Sequence, residues 1–222
     1  MRRRTALVAG LATLVAGPVS SWGQESRGST NRLWFDPTQL PSFTGVVDRY
    51  LLTPEGKTDR LLFREGPQVI FPEHVAEDIM GEVDPGRPII VYGIRARRVP
   101  VITLLAWAKD SSTQPRFVDR PSWSFPEFRA ADERLNVAGT IRVPLYTPQG
   151  DAIGAILDDG TVIRLPIGVA AALGDRLSSG RSIAASGRGA AVDGRGKALD
   201  ADLIGESPDK LGPLPAPIER PQ

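Results

Sequence analysis

The chain has 222 residues, with 27 Lys and Arg, 26 Asp and Glu, one His and no Cys, for a formal net charge of +1. The lack of cysteine excludes disulfide scaffolds, thiol catalysis and cysteine-ligated zinc or iron–sulfur sites. A single histidine excludes any site that needs two His ligands, and the nearly balanced charge gives no general case for nucleic-acid binding.

The first 23 residues have the layout of a secretory signal peptide. Arg2, Arg3 and Arg4 are followed by an apolar run from residue 6 to residue 19, and then by small residues up to Gly23. We therefore predict a periplasmic or secreted protein, cleaved near Gly23, with no membrane span after cleavage. Cleavage would remove three of the 27 positive residues and none of the 26 negative ones, which leaves a slightly acidic mature chain.

An internal repeat occupies most of the remaining chain. Residues 45–93 align with residues 139–187 without a gap, so that Gly45 matches Gly139 and Gly93 matches Gly187. The pattern T-P-x-G at residues 53–56 also returns at residues 147–150. Glycines and prolines at such positions mark turns, and backbone geometry rather than a ligand requires them there. The repeat therefore predicts two copies of one small domain, at residues 43–108 and 137–205.

The pattern within each copy predicts three strands, one short helix and two further strands. The helix follows from apolar residues four apart, Val75, Ile79 and Val83 in the first copy. The predicted strands are Thr44–Leu52, Asp59–Arg64, Gln68–Phe71, Pro88–Tyr92 and Val101–Ala108, then Ala138–Tyr146, Ile153–Asp158, Val162–Leu165, Ser182–Ser186 and Ala198–Ile204. This is the strand order of the OB-fold, a small five-stranded barrel. The predicted fold class is all-β with one short helix per repeat, in two tandem OB-fold barrels.

The repeated pattern also carries a resemblance to a known group of proteins. It reads G-x-x-x-x-x-L-x-T-P-x-G, an apolar strand, D/E-G, an apolar strand ending in F/L-P, a short helix, P/S-G-R and a strand closing in G. It resembles the small OB-fold domains of bacterial exported and periplasmic proteins of unassigned function. That resemblance implies a binding role and supplies no catalytic residue.

Three segments lie outside the two barrels. The extension at 24–42 and the connector at 109–136 hold two of the four Trp and four of the seven Phe. We expect both to pack along the barrels and bury these rings, with an exposed aromatic recognition loop as the alternative. The Pro-rich tail at 206–222 is predicted to be extended and disordered.

Alternation along the second and third strands assigns candidate binding residues in the first copy. Leu61, Phe63, Val69 and Phe71 share one face, which we predict to be the core. The opposite face is predicted to pack on something: the other barrel, the connector or a partner protein. A structural role in an envelope complex, one version of the predicted function, would leave its hydrophobic part open in the isolated protein. A basic loop follows the fourth strand, where OB-folds often contact ligands. The candidate ligand- or partner-binding residues are Arg60, Leu62, Arg64, Ile70, Arg95, Arg97 and Arg98.

No pattern of catalytic or metal-binding residues accompanies these candidates. His74 stands alone without a G-x-S-x-G elbow, and Asp200 and Asp202 alternate along the last strand, most simply as a solvated face. We predict no catalytic residues, no metal and no cofactor. The predicted function is a non-catalytic periplasmic binding or interaction module whose partner is a protein or a small ligand of the envelope. The alternatives are binding of single-stranded nucleic acid or an anionic polymer through the arginines of the first copy, and a carboxylate-based hydrolase.

Overall fold

The computed structural model describes residues 39–123 and 131–218. The predicted signal peptide and most of the predicted extension lie outside these residues. The first barrel, called barrel 1, contains five strands and one short helix. Their bounds are β1 Ser42–Leu52, β2 Thr58–Phe63, β3 Gln68–Ile70, α1 Ala76–Glu82, β4 Pro88–Arg95 and β5 Val101–Ala108.

The strands of barrel 1 form one closed sheet. They pair in the order β3-β2-β1-β4-β5, and β3 pairs again with β5 in parallel. The parallel pair places Gln68 opposite Val101 and Ile70 opposite Thr103. Long β1 makes this closure possible because it pairs with β4 along its first half and with β2 along its second half.

The second barrel, barrel 2, repeats this architecture. Its bounds follow a short strand of the connector: β6 Arg116–Phe117, β7 Glu133–Tyr146, β8 Ala152–Leu157, β9 Val162–Arg164, α2 Val169–Leu173, β10 Ser182–Val192, β11 Gly196–Gly205 and β12 Gly212–Pro213. Its strands pair in the order β10-β7-β8-β9-β11, and β11 pairs again with β10. The predicted fold class is therefore confirmed: the chain contains two tandem five-stranded OB-fold barrels.

Strands β4 and β10 run further than predicted because the repeated glycine is a bulge rather than a strand end. The pairing register shifts at Gly93 and at Gly187. A Cβ at Gly93 would lie 2.1 Å from the carbonyl oxygen of Thr103, and one at Gly187 would lie 1.9 Å from that of Asp200. Only a glycine permits such an approach of two backbones. The match between the copies thus marks a bulge, after which both strands continue.

The predicted core face of barrel 1 is confirmed. Leu61, Phe63, Val69 and Phe71 all belong to the buried cluster inside the barrel, together with Ile79 of α1. Helix α1 therefore closes the barrel with the apolar side that its spacing predicted. No helix within residues 39–123 and 131–218 has the length and hydrophobicity needed to cross a membrane.

Part of the connector packs on barrel 1. Strand β6 pairs with β5, and Val118 directly after it is buried in the core of barrel 1. Trp123 is 36% exposed. Residues 124–130 lie outside the described residues, so the predicted burial of Phe125 and Phe128 stays a prediction.

Up to residue 218 the tail packs on barrel 2, in contrast to the predicted disorder. Strand β12 pairs with β11, which places Pro213 opposite Leu203. Leu214 then packs against the core of barrel 2, and the backbone N–H of Ile218 donates to the Gly168 carbonyl at 3.2 Å. The prolines remain compatible with this course because it needs few backbone donors.

Candidate functional site

Three of the seven candidate binding residues are buried. Arg60, Leu62 and Ile70 are each at most 3% exposed. Barrel 2 covers Leu62 and accepts a hydrogen bond from Arg60, so the other barrel is what this face packs on among the predicted possibilities. The open hydrophobic face expected of a structural role in an envelope complex is not found. Both barrels belong to one compact unit.

The interface between the barrels has its own apolar core. Leu51, Leu52 and Leu62 of barrel 1 share one buried cluster with five residues of barrel 2. Those five are Leu145, Ile153, Ile156, Val162 and Ala198. Burial of each large side chain stabilises by roughly 1.5–3 kcal/mol, so this cluster stabilises the docking of the two barrels.

One contact across this interface occurs twice, once in each direction between the copies. A Cβ at Gly56 would lie 3.2 Å from the Ala190 Cβ, and one at Gly150 would lie 3.7 Å from the Ala96 Cβ. The second contact is the first with the copies exchanged, since both residues shift by the same offset. Such reciprocity defines an isologous interface. The barrels are therefore related by a pseudo-two-fold axis, as in a homodimer joined into one chain.

A pair of equivalent, oppositely charged residues also meets in this interface. The Asp48 carboxylate lies 3.0 Å from the Arg142 guanidinium and accepts a 2.7 Å hydrogen bond from Arg49 Nε. Burial acts to raise the pKa of Asp48, but the hydrogen bond and charge of Arg49, with the charge of Arg142, hold it below its usual 3.8. Arg49 also donates to the Asp158 carbonyl at 2.9 Å and so ties β1 to the β8–β9 turn.

Two polar side chains of barrel 1 satisfy backbone groups of barrel 2. Gln68 Nε2 donates to the Pro144 carbonyl at 2.7 Å, and Arg60 Nη1 donates to the Tyr146 carbonyl at 3.1 Å. Arg60 Nη1 also donates to Gln68 Oε1 at 3.2 Å. Arg60 thus has a structural role in the interface rather than a position on an open ligand face.

Barrel 2 contributes a buried arginine with two acidic partners. The Arg164 side chain is 4% exposed and donates to both carboxylate oxygens of Asp200, at 2.5 and 2.8 Å. Its Nη2 also donates across the interface to Glu55 at 3.2 Å. Burial raises the pKa of Asp200 and outweighs the opposing effect of Arg164. The prediction of a solvated face is therefore wrong for Asp200, which is paired with a buried arginine, whereas Asp202 is exposed as predicted.

The remaining four candidates are exposed, and three of them share one loop. Arg95, Arg97 and Arg98 lie at and after the end of β4 and have no ion-pair partner within the described part of the chain. Arg97 and Arg98 line a cleft of about 440 Å³ against the β7–β8 turn of barrel 2, which contributes Asp151.

Arg64 lies elsewhere. Its Nη2 is 3.4 Å from the position of a Cβ at Gly86, in the turn that precedes β4. The structure therefore does not unite the seven candidates. Arg60 and Leu62 lie in the interface, and Ile70 is buried beside a cleft that Trp123 and Pro148 also line. Three of the other candidates lie at the loop after β4, and the last lies over a separate turn.

Comparison with protein-family models and with curated protein sequences finds no match. Among solved structures, the wild-type single-stranded DNA binding protein from Thermus aquaticus is similar at 17% sequence identity. The similarity covers 81% of this chain and 95% of that chain, with a TM-score of 0.23. At that TM-score the similarity supports no inference about this chain.

The other chemical features of the described residues are surface features. His74 is largely exposed and its Nε2 lies 2.9 Å from the exposed Asp119 carboxylate. This hydrogen bond is the main reason that the pKa of Asp119 lies below its usual value. Among residues 39–123 and 131–218, no three His, Asp or Glu side chains form a group that could hold a metal ion.

Sequence reasoning missed the network of Arg164, Asp200 and Glu55. The sequence shows Arg164 on the outward face of the third strand of copy two, but two of its partners become visible only with the fold. Parallel pairing of β9 with β11 places Arg164 directly opposite Asp200. The available signal was that a central strand seldom carries an arginine without a buried acidic partner.

Proposed function

We propose that the protein is a non-catalytic binding module of the bacterial periplasm, and that it binds an acidic partner protein through Arg95, Arg97 and Arg98. The supporting observation is the set of three exposed arginines on one loop, without ion-pair partners among the described residues. A guanidinium left in water at a cleft is available for bidentate pairing with a carboxylate.

The rigid junction of the barrels supports this proposal. The basic loop lies against the β7–β8 turn of barrel 2, where Val99 packs on Gly150. The contacts of Ala96 and Val99 with Gly150 fix the backbone of this loop, which lowers the entropy cost of binding. The same interface covers the β2–β3 face on which OB-folds stack single-stranded bases. An acidic protein surface therefore suits this chain better than a nucleic-acid strand.

The alternative within the anionic class is a single-stranded nucleic acid that contacts the basic loop alone. It would rely on phosphate contacts, whose strength falls steeply with salt concentration. It would also lack the stacking contribution of roughly 1–3 kcal/mol per base. Comparison of an acidic peptide probe with an oligonucleotide probe separates the alternatives, since salt weakens the binding of both.

We expect the variant R95S/R97S/R98S to bind a fluorescent polyglutamate probe at least about tenfold more weakly than the wild type, because three charge-assisted contacts are lost. The matched control R87S/R188S/R195S removes three exposed arginines elsewhere and should bind like the wild type. Fluorescence anisotropy measures both, with an oligothymidine probe in a parallel series at two salt concentrations. Equal binding of polyglutamate by both variants would contradict the proposal. Tighter, loop-dependent oligothymidine binding would replace the acidic partner by nucleic acid.

The proposed location has its own test. The layout of residues 1–23 supports export, so the protein recovered from the periplasmic fraction should begin near Gln24 when its N-terminus is sequenced. Recovery of the chain with its first residues intact, in the cytoplasmic fraction, would contradict this location.

A further inference from the structure

The two barrels differ at the end that the short helix covers. In barrel 1 the buried ring of Trp107 fills this place, and the guanidinium of Arg116 lies 5.3 Å from the ring centre. Arg116 also forms an ion pair with Glu82 at the end of α1. This end of barrel 1 is therefore closed by the Trp107 ring, with Arg116 over the ring and Glu82 paired with Arg116.

The register identifies the equivalent residues in barrel 2. Trp107 lies opposite Val91, and Ile204 lies opposite Ala185, which matches Val91 in the repeat. Ile204 therefore stands where barrel 1 has its tryptophan. Strand β12 pairs with β11 as β6 pairs with β5, so that Gly212 stands where barrel 1 has Arg116.

A cavity lies next to Ile204 in barrel 2. It has a volume of about 370 Å³, within the range of small-molecule sites. Its apolar lining includes Leu173, Leu177, Ile183 and Ile204. A Cβ at Gly212 would meet nothing within 4 Å. The cavity thus lies beside the residue that replaces the Trp107 ring, and Gly212 has no side chain to take the place of Arg116.

The charge at the mouth of the cavity is reversed. Arg176 occupies the position that Glu82 has in the first copy, and Arg181 lies beside it in the lining. Neither arginine has an ion-pair partner within the described residues. Glu206 is the acidic residue of the lining. Where barrel 1 holds a cation against Glu82, barrel 2 offers a cationic side chain to an anion.

We propose that this cavity binds a small aromatic carboxylate. The ring takes the place that the Trp107 ring has in barrel 1, and the carboxylate pairs with Arg176 and Arg181 at the mouth. In barrel 1 the ion pair is formed by two side chains of the chain, Arg116 and Glu82. In barrel 2 the ligand supplies the negative charge and the protein supplies the positive one. The site lies on barrel 2, and its occupancy does not depend on the basic loop of barrel 1.

Three probes with one ring system test both parts of the proposal. Indoleacetate, the neutral indoleacetamide and the cationic tryptamine are titrated into the full protein and followed by calorimetry. We expect indoleacetate to bind at least about tenfold more tightly than the amide, because a charge-assisted pair is lost with the amide, and tryptamine not to bind. The variant R176E restores the charge of barrel 1, so it should lose indoleacetate and prefer tryptamine.

Two further variants keep the test sharp. I204W supplies the missing ring from within the chain and should abolish indoleacetate binding while the thermal midpoint is maintained or rises. R87E, which changes the residue equivalent to Arg181 in barrel 1, should bind like the wild type. The proposal fails if the wild type shows no saturable binding of indoleacetate, or if binding survives in I204W.

Discussion

Replacing Asp200 by alanine should lower the free energy of unfolding by about 3 kcal/mol or more, because it leaves a buried guanidinium without its main partner. Arg164 is almost fully buried, and Asp200 accepts hydrogen bonds from two of its nitrogens. Glu55 would remain as an acidic partner, at 3.2 Å and from the other barrel. Urea unfolding followed by circular dichroism at neutral pH measures the change.

Asp202 provides the matched control because it lies on the same strand, two residues further along. Its side chain is 56% exposed and lies 3.9 Å from that of the exposed Arg134. The variant D202A should therefore change the free energy of unfolding by no more than about 0.5 kcal/mol. Similar losses in D200A and D202A would show that burial of the pair has no special importance.

A double substitution separates the cost of a lone charge from the strength of the pair. Replacing Arg164 and Asp200 together by Met and Leu removes both charges and keeps much of the buried volume. Such replacements of buried pairs are often neutral or stabilising. We expect R164M/D200L to be more stable than D200A. A double variant less stable than D200A would mean that the pair itself contributes strongly to stability.

Most of the fold was predictable because turns leave a clear mark in the sequence. Glycines and prolines at a constant offset set the strand boundaries, and alternation in β2 and β3 separated the inward residues from the outward ones. The sequence does not distinguish the bulge at Gly93 and Gly187 from a strand end, because a glycine marks either feature equally well. The course of the tail is not predictable from its prolines, because they describe local conformation, whereas Leu214 is held by packing on a distant core.

The candidate site was harder to predict because it depends on which surfaces meet. A row containing Arg60, Leu62 and Ile70 has the same pattern whether it covers a partner or the neighbouring barrel. The pseudo-two-fold axis decides between them, and it follows from contacts that span more than 80 residues, such as that of Arg60 with the Tyr146 carbonyl. The Arg-rich loop was recognisable from sequence because exposed charges depend little on tertiary contacts.

Replacing Leu62 by alanine should cost about 2–5 kcal/mol of unfolding free energy, the range for a buried leucine. Leu62 is fully buried, although it points away from the core of its own barrel and into the interface. If the barrels form one cooperative unit, L62A should be as destabilising as L61A in the barrel core next to it. Each variant should unfold in a single urea transition, with both barrels lost together.

Ile94 is the control for the loss of an apolar side chain on a strand. It lies on β4 and is 47% exposed, so I94A should cost less than about 1 kcal/mol. If L62A behaved like I94A, or if the wild type unfolded in two separate steps, the barrels would be only loosely docked. The β2–β3 face would then be free to open, and the preference for an acidic protein over a single nucleic-acid strand would lose its physical basis. Agreement of L62A with L61A would instead mean that a ligand must bind outside this face, at the basic loop or in the cavity of barrel 2.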